Sequence, residues 1–350
     1  MNSLLELQNV TKIYGGGLFS RSRTLALDNV SFAIPSESPQ ITAIAGESGS
    51  GKTTMARVLL GVVAPTEGKV LFKGQDVAGM TRKQRREFRR EVQPVFQDPF
   101  EVYNPFYKVD HVLTTPIKKF RMAGTKREAQ RIIEDALELV GLRPDETLGR
   151  FPHQLSGGQR QRVMVARALL LKPSVILADE PVSMVDASLR ATILDSIRNL
   201  NRELGIAILY ITHDLTTAYQ ISDNIMVLYR GSVVEAGSVE RVIKHPQHPY
   251  TRLLVESIPQ PDPDKRWGAE TTVSNTIGIA PGATTCKFVD RCLAAMPMCA
   301  EAVPGFYRID PDRGALCFLY ADSPELTSTE IATVLQRDAD SHEPVATGAE

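Results

Sequence analysis

The stretch "QITAIAGESGSGKTTMARVLLGVV", residues 40–63, decides the fold. It opens with "QITAIAG", a short apolar run of the kind that forms a strand buried on both faces. It closes with "TMARVLLGVV", whose apolar residues recur at helical spacing. Between them, "GESGSGKT" (Gly46–Thr53) fits the spacing G-x-x-x-x-G-K-[ST]. A triphosphate presents many oxygens, and only backbone N–H groups packed closely around it can satisfy them. Gly46, Gly49 and Gly51 permit that approach without Cβ clashes, with Glu47, Ser48, Ser50 and Thr54 in the same cradle. The helix that begins here adds its positive end. Lys52 is expected to reach the β- and γ-phosphates, and the Thr53 hydroxyl to bind Mg²⁺.

A phosphate loop of this kind also needs a carboxylate on the metal side. "VILADE" supplies one at the end of a second apolar strand. Asp179 is expected to hold Mg²⁺. Glu180 is expected to reach the attacking water as general base. Around these two segments the chain alternates strand and helix patterns. "LLELQNVTKIYG" and "TLALDNVSFAI" alternate as exposed-face strands, and "GKVLFKG" adds another. "REAQRIIEDALELVGL" reads as a helix closing on Gly141, and "SGGQRQRVMVARALLL" and "SLRATILDSIRNLNREL" as two more. "IAILYITHD" is a buried strand, and "NIMVLYRGSVVEAG" a hairpin turning at Arg230-Gly231. This order predicts an α/β fold, parallel in its core. The basic run "TRKQRREFRRE" (81–91) reads as a solvated helix face capped by Thr81 rather than a nucleic-acid patch.

The 350 residues suggest more than one domain, and 43% hydrophobic content allows a sizeable core. A net charge of −1 gives no global attraction to nucleic acid or anionic lipid. No secretory signal and no membrane-length apolar run is apparent, so a membrane role requires partner proteins. After about residue 236 prolines cluster in "HPQHPY" and "IPQPDPDKRW", which read as linker-like. The last 30 residues are acidic and poor in aromatics, and read as a disordered tail.

"LSGGQRQRV", residues 155–163, resembles the signature of ATP-binding-cassette (ABC) ATPases. Ser156, Gly157, Gly158 and Gln159 would offer N–H groups at a helix start to the γ-phosphate of an ATP held by a second subunit. The resemblance implies a P-loop NTPase cassette: a RecA-like core with an antiparallel β subdomain (1–98 and 156–236) and a helical signature subdomain (99–155). A small C-terminal accessory domain (237–320) and the tail (321–350) would follow. It implies a head-to-tail dimer that closes on ATP and opens on hydrolysis. By the same likeness Gln97 of "VFQDP" contacts Mg²⁺ and water, His213 of "ITHD" reads the γ-phosphate, and Tyr14 stacks on adenine. "SMVDAS" keeps Ser183 and Asp186 of the inter-site loop, while Met184 and Val185 depart from its usual S-A-L-D.

"HPYTRLLVESIPQPDPDKR" is similar to a passage of the dipeptide and oligopeptide importer ATPases. That likeness implies ATP hydrolysis driving solute uptake through transmembrane permease subunits. It also implies a second ABC ATPase subunit, identical or related, and, indirectly, a solute-binding protein. The location implied is the cytoplasmic face of the plasma membrane, without nucleic acid. "VYNPF" departs from the usual S-L-N-P after Gln97, and oligosaccharides are an alternative cargo to peptides. A soluble cassette acting on ribosomes or DNA is the rival reading; the second cassette or long insertion it usually carries is missing here.

All four cysteines lie late in the chain, spaced Cys286-x5-Cys292-x6-Cys299-x17-Cys317, after none in the first 285 residues. Neither a C-x2-C zinc pair nor a ferredoxin-type run is present. On spacing alone they read equally as reduced thiols. The importer resemblance adds a [4Fe-4S] cluster through all four, with zinc as the alternative. The departures are the "NTIGIAPGATT" loop before Cys286 and Leu293 in place of proline after Cys292.

Overall fold

Two long strands open the chain, β1 (Ser3–Gly15) and β2 (Arg23–Pro35), paired antiparallel with inward Leu5, Leu7, Val10 and Val30, Phe32. The computed structural model describes residues 3–15, 23–97, 103–183, 185, 187–258, 284–327 and 330–335. β3 (Ile41–Ala45) has every residue buried and leads through the glycine-rich loop into α1 (Lys52–Leu59). β4 (Glu67–Phe72) and β5 (Gln75–Asp76) complete a four-stranded antiparallel sheet in the order β2-β1-β4-β5.

Next come α2 (Arg82–Glu91) and β6 (Val92–Val95). Thr81 caps α2 in a capping box with Gln84, so the basic run is a helix that buries only Phe88. The helical segment holds α3 (Asp110–Phe120), α4 (Lys126–Leu139) and α5 (Pro144–Thr147), followed by α6 (Gly157–Leu169). The remaining core elements are β7 (Val175–Asp179), α7 (Ala187–Leu204), β8 (Ala207–Ile211), α8 (Leu215–Ile221), β9 (Asn224–Tyr229) and β10 (Ser232–Ser238). The β9–β10 hairpin turns where expected. Arg230 and Gly231 have φ 44° and 82°, the left-handed pair that a tight right-twisted hairpin requires. After α9 (Val239–Lys244) and α10 (Pro249–Glu256) come β11 (Phe306–Asp310) and β12 (Arg313–Leu316).

Among the described residues the second sheet has eight strands, in the order β11-β12-β10-β9-β3-β8-β7-β6. β6, β7, β8, β3 and β9 run parallel, and β10, β12 and β11 extend the sheet antiparallel. Apolar cores cover both of its faces. Val175, Leu177, Leu209 and Ile211 pack with α1 and the antiparallel sheet; their neighbours Ile176, Ala178, Ile208 and Tyr210 pack with α3, α4, α6 and α7. α6 thus shares one core with the helical segment, although it follows that segment in sequence.

In the region expected as a C-terminal accessory domain (237–320), β12 pairs with β10 and continues the central sheet. Two sequence expectations are corrected. "HPQHPY" is a packed corner rather than a linker. The N–H groups of Gln247 and His248 donate to the buried Glu235 carboxylate, at 3.0 and 2.9 Å, and Tyr250 is fully buried. The passage "PQPDPDKRW" and most of "NTIGIAPGATT" lie outside the described residues. Part of the stretch expected as a tail from 321 is ordered. Leu326 donates its N–H to Phe306 O at 2.7 Å, and Ile331, Val334 and Leu335 are buried against the first core. Spaced apolar residues override the acidic composition there, since a few buried aliphatic side chains suffice to order a short turn.

His248 is 2% exposed and caps α10 by accepting the Tyr250 N–H at Nδ1, 3.0 Å. Burial lowers its pKa to about 3. Its folded pKa lies below the unfolded value, so the unfolded chain binds the extra proton between those limits. Stability is then lost as pH falls from about 6.5 toward 3, at up to about 1.4 kcal/mol per pH unit for this one group. His248→Asn keeps a capping oxygen and removes the titration. Urea unfolding of the wild type should therefore weaken relative to this variant as pH drops from 6.5 to 4, and parallel curves would contradict it.

Candidate nucleotide site

The phosphate-loop segment hangs from the end of β3. Gly46 has φ 147°, and a Cβ there would stand 2.3 Å from Leu228 O. Gly51 has φ 111°, and its Cβ would stand 2.5 Å from Ala26 O. Both the backbone conformation and the space therefore demand glycine. Gly51 occupies the N-cap of α1, so no side chain covers the first amides of that helix. Ser50 Oγ is buried with no hydrogen-bond partner among the described residues, while Ser48 and Thr53 are exposed at the loop surface.

Lys52 is 7% exposed, and its ammonium donates to Gly46 O at 2.7 Å and Glu47 O at 3.0 Å. Burial lowers its pKa, against the opposing pull of Glu180, Asp179 and Glu47. Asp179 ends β7, and burial followed by the neighbouring Glu180 charge raises its carboxyl pKa. A lysine and two carboxylates are thus held in a partly desolvated pocket.

Glu180 turns out of β7 in a left-handed conformation, φ 45°, with its N–H donating to Ile211 O at 2.9 Å. That turn aims its carboxylate between two partners. Oε2 accepts from Gln97 Nε2 at 2.8 Å, and Oε1 lies 2.8 Å from His213 Nδ1. Gln97 follows β6 and His213 follows β8, so three sequence-distant residues meet at the carboxyl ends of adjacent strands. Glu180 is the less exposed partner, with 16% of its side chain accessible against 61% for His213.

The signature residues lie elsewhere. Ser156 caps α6 and accepts the Gln159 N–H at 3.2 Å, while Gln159 Oε1 accepts the Ser156 N–H at 2.9 Å. α6 packs in the second core and α1 in the first, on opposite faces of the sheet. One chain therefore does not bring Ser156, Gly157 and Gly158 onto its own phosphate loop. Tyr14 is exposed at the end of β1 with the Lys12 ammonium 5.1 Å from its ring centre. Asp186 lies outside the described residues.

The four cysteines converge. All line one small cavity with His248, Phe288 and Met296, and all are free thiols. Burial raises the thiol pKa of Cys286 and Cys292, and pushes Cys317 up to about 12. Among the described residues no group of three or more His, Cys, Asp or Glu side chains is arranged to hold a metal ion. Sequence reasoning missed two contacts to the phosphate loop: Tyr250 and Arg291 both bond Glu47. Nothing local in "HPYT" or "VDRC" signals this, because the partners are more than 200 residues apart in the chain.

The family model of the ABC transporter matches residues 27–183, and that of the oligopeptide/dipeptide transporter C-terminal region matches residues 234–299. The oligopeptide transport ATP-binding protein AppF of Bacillus subtilis is 38% identical over 328 residues, 91% of this chain and 98% of AppF. The chain belongs to the oligopeptide/dipeptide ABC transporter family. A Brucella ovis protein bearing a provisional peptide import ATP-binding name is 40% identical over 315 residues, 90% of this chain and 97% of that protein. Among solved structures, a dimeric ATP-binding cassette bound to ADP and Pi is 30% identical, with TM-score 0.58. That match spans 67% of this chain and 98% of the other. CbiO1 of Clostridium perfringens, described as part of a transporter complex, is 27% identical with TM-score 0.61, over 70% and 92% of the two chains. The chain is therefore an ABC ATP-binding subunit with the P-loop NTPase fold, and an ATPase.

If the phosphate loop is as tightly specified as its geometry shows, Gly46→Ala removes nucleotide binding while the protein stays folded. Fluorescent-ATP titration and circular dichroism check both halves; retained affinity would contradict the close approach to Leu228.

Proposed function

We propose that this subunit is the motor of a peptide importer and that its Gln97, Glu180 and His213 carry ATP hydrolysis. The observation that carries this reading is the two-sided grip on Glu180 beside the buried Lys52 and Asp179. Glu180 accepts the proton of the attacking water, Gln97 positions that water, and His213 orients the carboxylate and contacts the γ-phosphate. Lys52 exchanges its loop carbonyls for phosphate oxygens, and the open first turn of α1 with the unpartnered Ser50 hydroxyl supplies further donors. Tyr14 supplies a ring for the adenine. Thr53, Gln97 and Asp179 would hold Mg²⁺, which neutralises charge on the phosphates when bound. Asp179 fits a divalent cation, because burial and the neighbouring Glu180 charge raise the cost of ionising its carboxyl and a bound cation would offset both.

The opposite-face placement of α1 and α6 supports a head-to-tail dimer. Ser156, Gly157, Gly158 and Gln159 of one cassette complete the site of the other, with Asp186 at the contact between sites. The 40% identity to a protein with a peptide import name supports peptides as the cargo. Permease subunits place the protein at the cytoplasmic face of the membrane, with a solute-binding protein delivering the peptide outside. Among the described residues no helix is long and apolar enough to cross a membrane, in keeping with attachment through partners.

The cysteine cavity is the second part of the proposal. Four thiols line one cavity in which burial disfavours the charged forms of Cys286, Cys292 and Cys317 without a cation, and a bound metal would reverse that preference. Cys286, Cys292, Cys299 and Cys317 would hold a [4Fe-4S] cluster, with zinc the other occupant a four-thiolate set suits. The role assigned is structural.

Glu180→Gln should lower ATP turnover by at least about 100-fold while ATP binding persists, since a general base contributes roughly that much. Turnover near wild type in the assembled transporter would sink the assignment. Anaerobically purified protein should carry iron and acid-labile sulfide, about four of each per chain. About one zinc per chain and no iron would replace the cluster with zinc, and neither metal would remove the metal reading.

A further inference from the structure

Glu47, the second residue of the phosphate loop, is held by two residues from the far end of the chain. Its N–H donates to Tyr250 Oη at 2.9 Å. Its carboxylate takes the Arg291 fork, Nη1 to Oε2 at 3.0 Å and Nη2 to Oε1 at 2.9 Å. Arg291 lies over Phe288 and Tyr229, 5.6 and 5.9 Å from their ring centres. Those rings pack on Tyr250 at 5.5 and 4.5 Å, so the guanidinium and the phenol share one aromatic platform. A second grip lies beside the first. Lys287 donates to Arg230 O at 2.9 Å and Ser232 Oγ at 2.7 Å, and the turn it holds donates Gly231 N–H to Ser50 O at 2.9 Å. Lys287 adjoins Cys286 and Arg291 adjoins Cys292.

We propose that Arg291 and Tyr250 are positioning residues for the nucleotide site, through which the C-terminal residues raise the phosphate loop's affinity for ATP. This rests on the reading of Gly46–Thr53 as the ATP loop. Two physical effects act together. The Tyr250 bond fixes the Gly46–Glu47 peptide, whose Gly46 carbonyl accepts from the Lys52 ammonium, so less freedom is lost when phosphate arrives. The Arg291 pair neutralises a carboxylate placed on an anion site; unpaired, Glu47 would repel the triphosphate. About 40% of each side chain in the pair is accessible, so salt screens the interaction and its effect is moderate.

The test is MgATP affinity of the full chain by equilibrium dialysis, in a double-mutant cycle. Arg291→Ala should weaken affinity about threefold, and Arg291→Lys less, because an ammonium keeps the charge but not the fork. In a Glu47→Gln background, which removes the repelling charge, Arg291→Ala should have little further effect. Raising salt should narrow the gap between wild type and Arg291→Ala. Unchanged affinity in Arg291→Ala, or an equal loss in both backgrounds, would overturn the proposal, the latter by showing a general structural role. If Arg291→Ala does not fold, Arg291→Lys in the two backgrounds decides in the same way; Tyr250→Phe, which removes a bond to the main-chain N–H of residue 47, should weaken affinity in both backgrounds, and unchanged affinity there would overturn the role of Tyr250. Wild type that binds no MgATP would fail the underlying reading of the loop instead.

Discussion

Charge held at the ends of buried strands is the constraint on which the rest of this structure depends. β3, β7 and β8 are almost wholly apolar, yet they end at the phosphate loop, at Asp179–Glu180 and next to His213. Burial opposes ionisation of both Lys52 and Asp179. Loop carbonyls hold the Lys52 ammonium, and the Lys52 and Arg57 charges offset part of the cost at Asp179; Gln97 and His213 fix Glu180 beside them. In a parallel sheet, successive strands deliver their carboxyl ends to one edge, where ligands of open α/β sheets bind. The parallel register of β6, β7, β8 and β3 therefore brings together residues spread from 46 to 213.

The same sheet separates what it does not unite. Alternating side chains of β7 and β8 feed two cores, and the phosphate-loop helix and the signature helix fall on different faces. The two helices are thus packed in different cores of the same chain, in keeping with the proposed pairing of cassettes. At its other edge the sheet takes in β12 and β11, so the C-terminal residues are anchored in the core and can reach Glu47.

Much of this was legible in the sequence, for identifiable reasons. Gly46–Thr53 was readable because steric demands on a phosphate loop leave little freedom in residue type. The place of Glu180 at a strand end was legible because an apolar run ending in two carboxylates reads as a buried strand reaching a polar edge. The Arg230-Gly231 turn followed from the strand patterns on either side. The packed corner at 245–250 was not legible, since proline clusters look alike whether or not a buried Glu235 gathers their amides. Nor was the turn at 331–335, whose three buried aliphatics are hidden in an acidic composition. The Arg291–Glu47 pair spans 244 positions, and no periodicity carries information over that distance. The cysteines sit between these cases: their clustering was visible, but only the fold shows that all four face one cavity.

The most direct test of the account is stoichiometric binding of MgATP to the purified chain and to Lys52→Ala. The account predicts saturable binding of one nucleotide per 38.5 kDa chain, lost in the variant. Binding that is absent from the wild type, or that survives removal of the Lys52 ammonium unchanged, would contradict it.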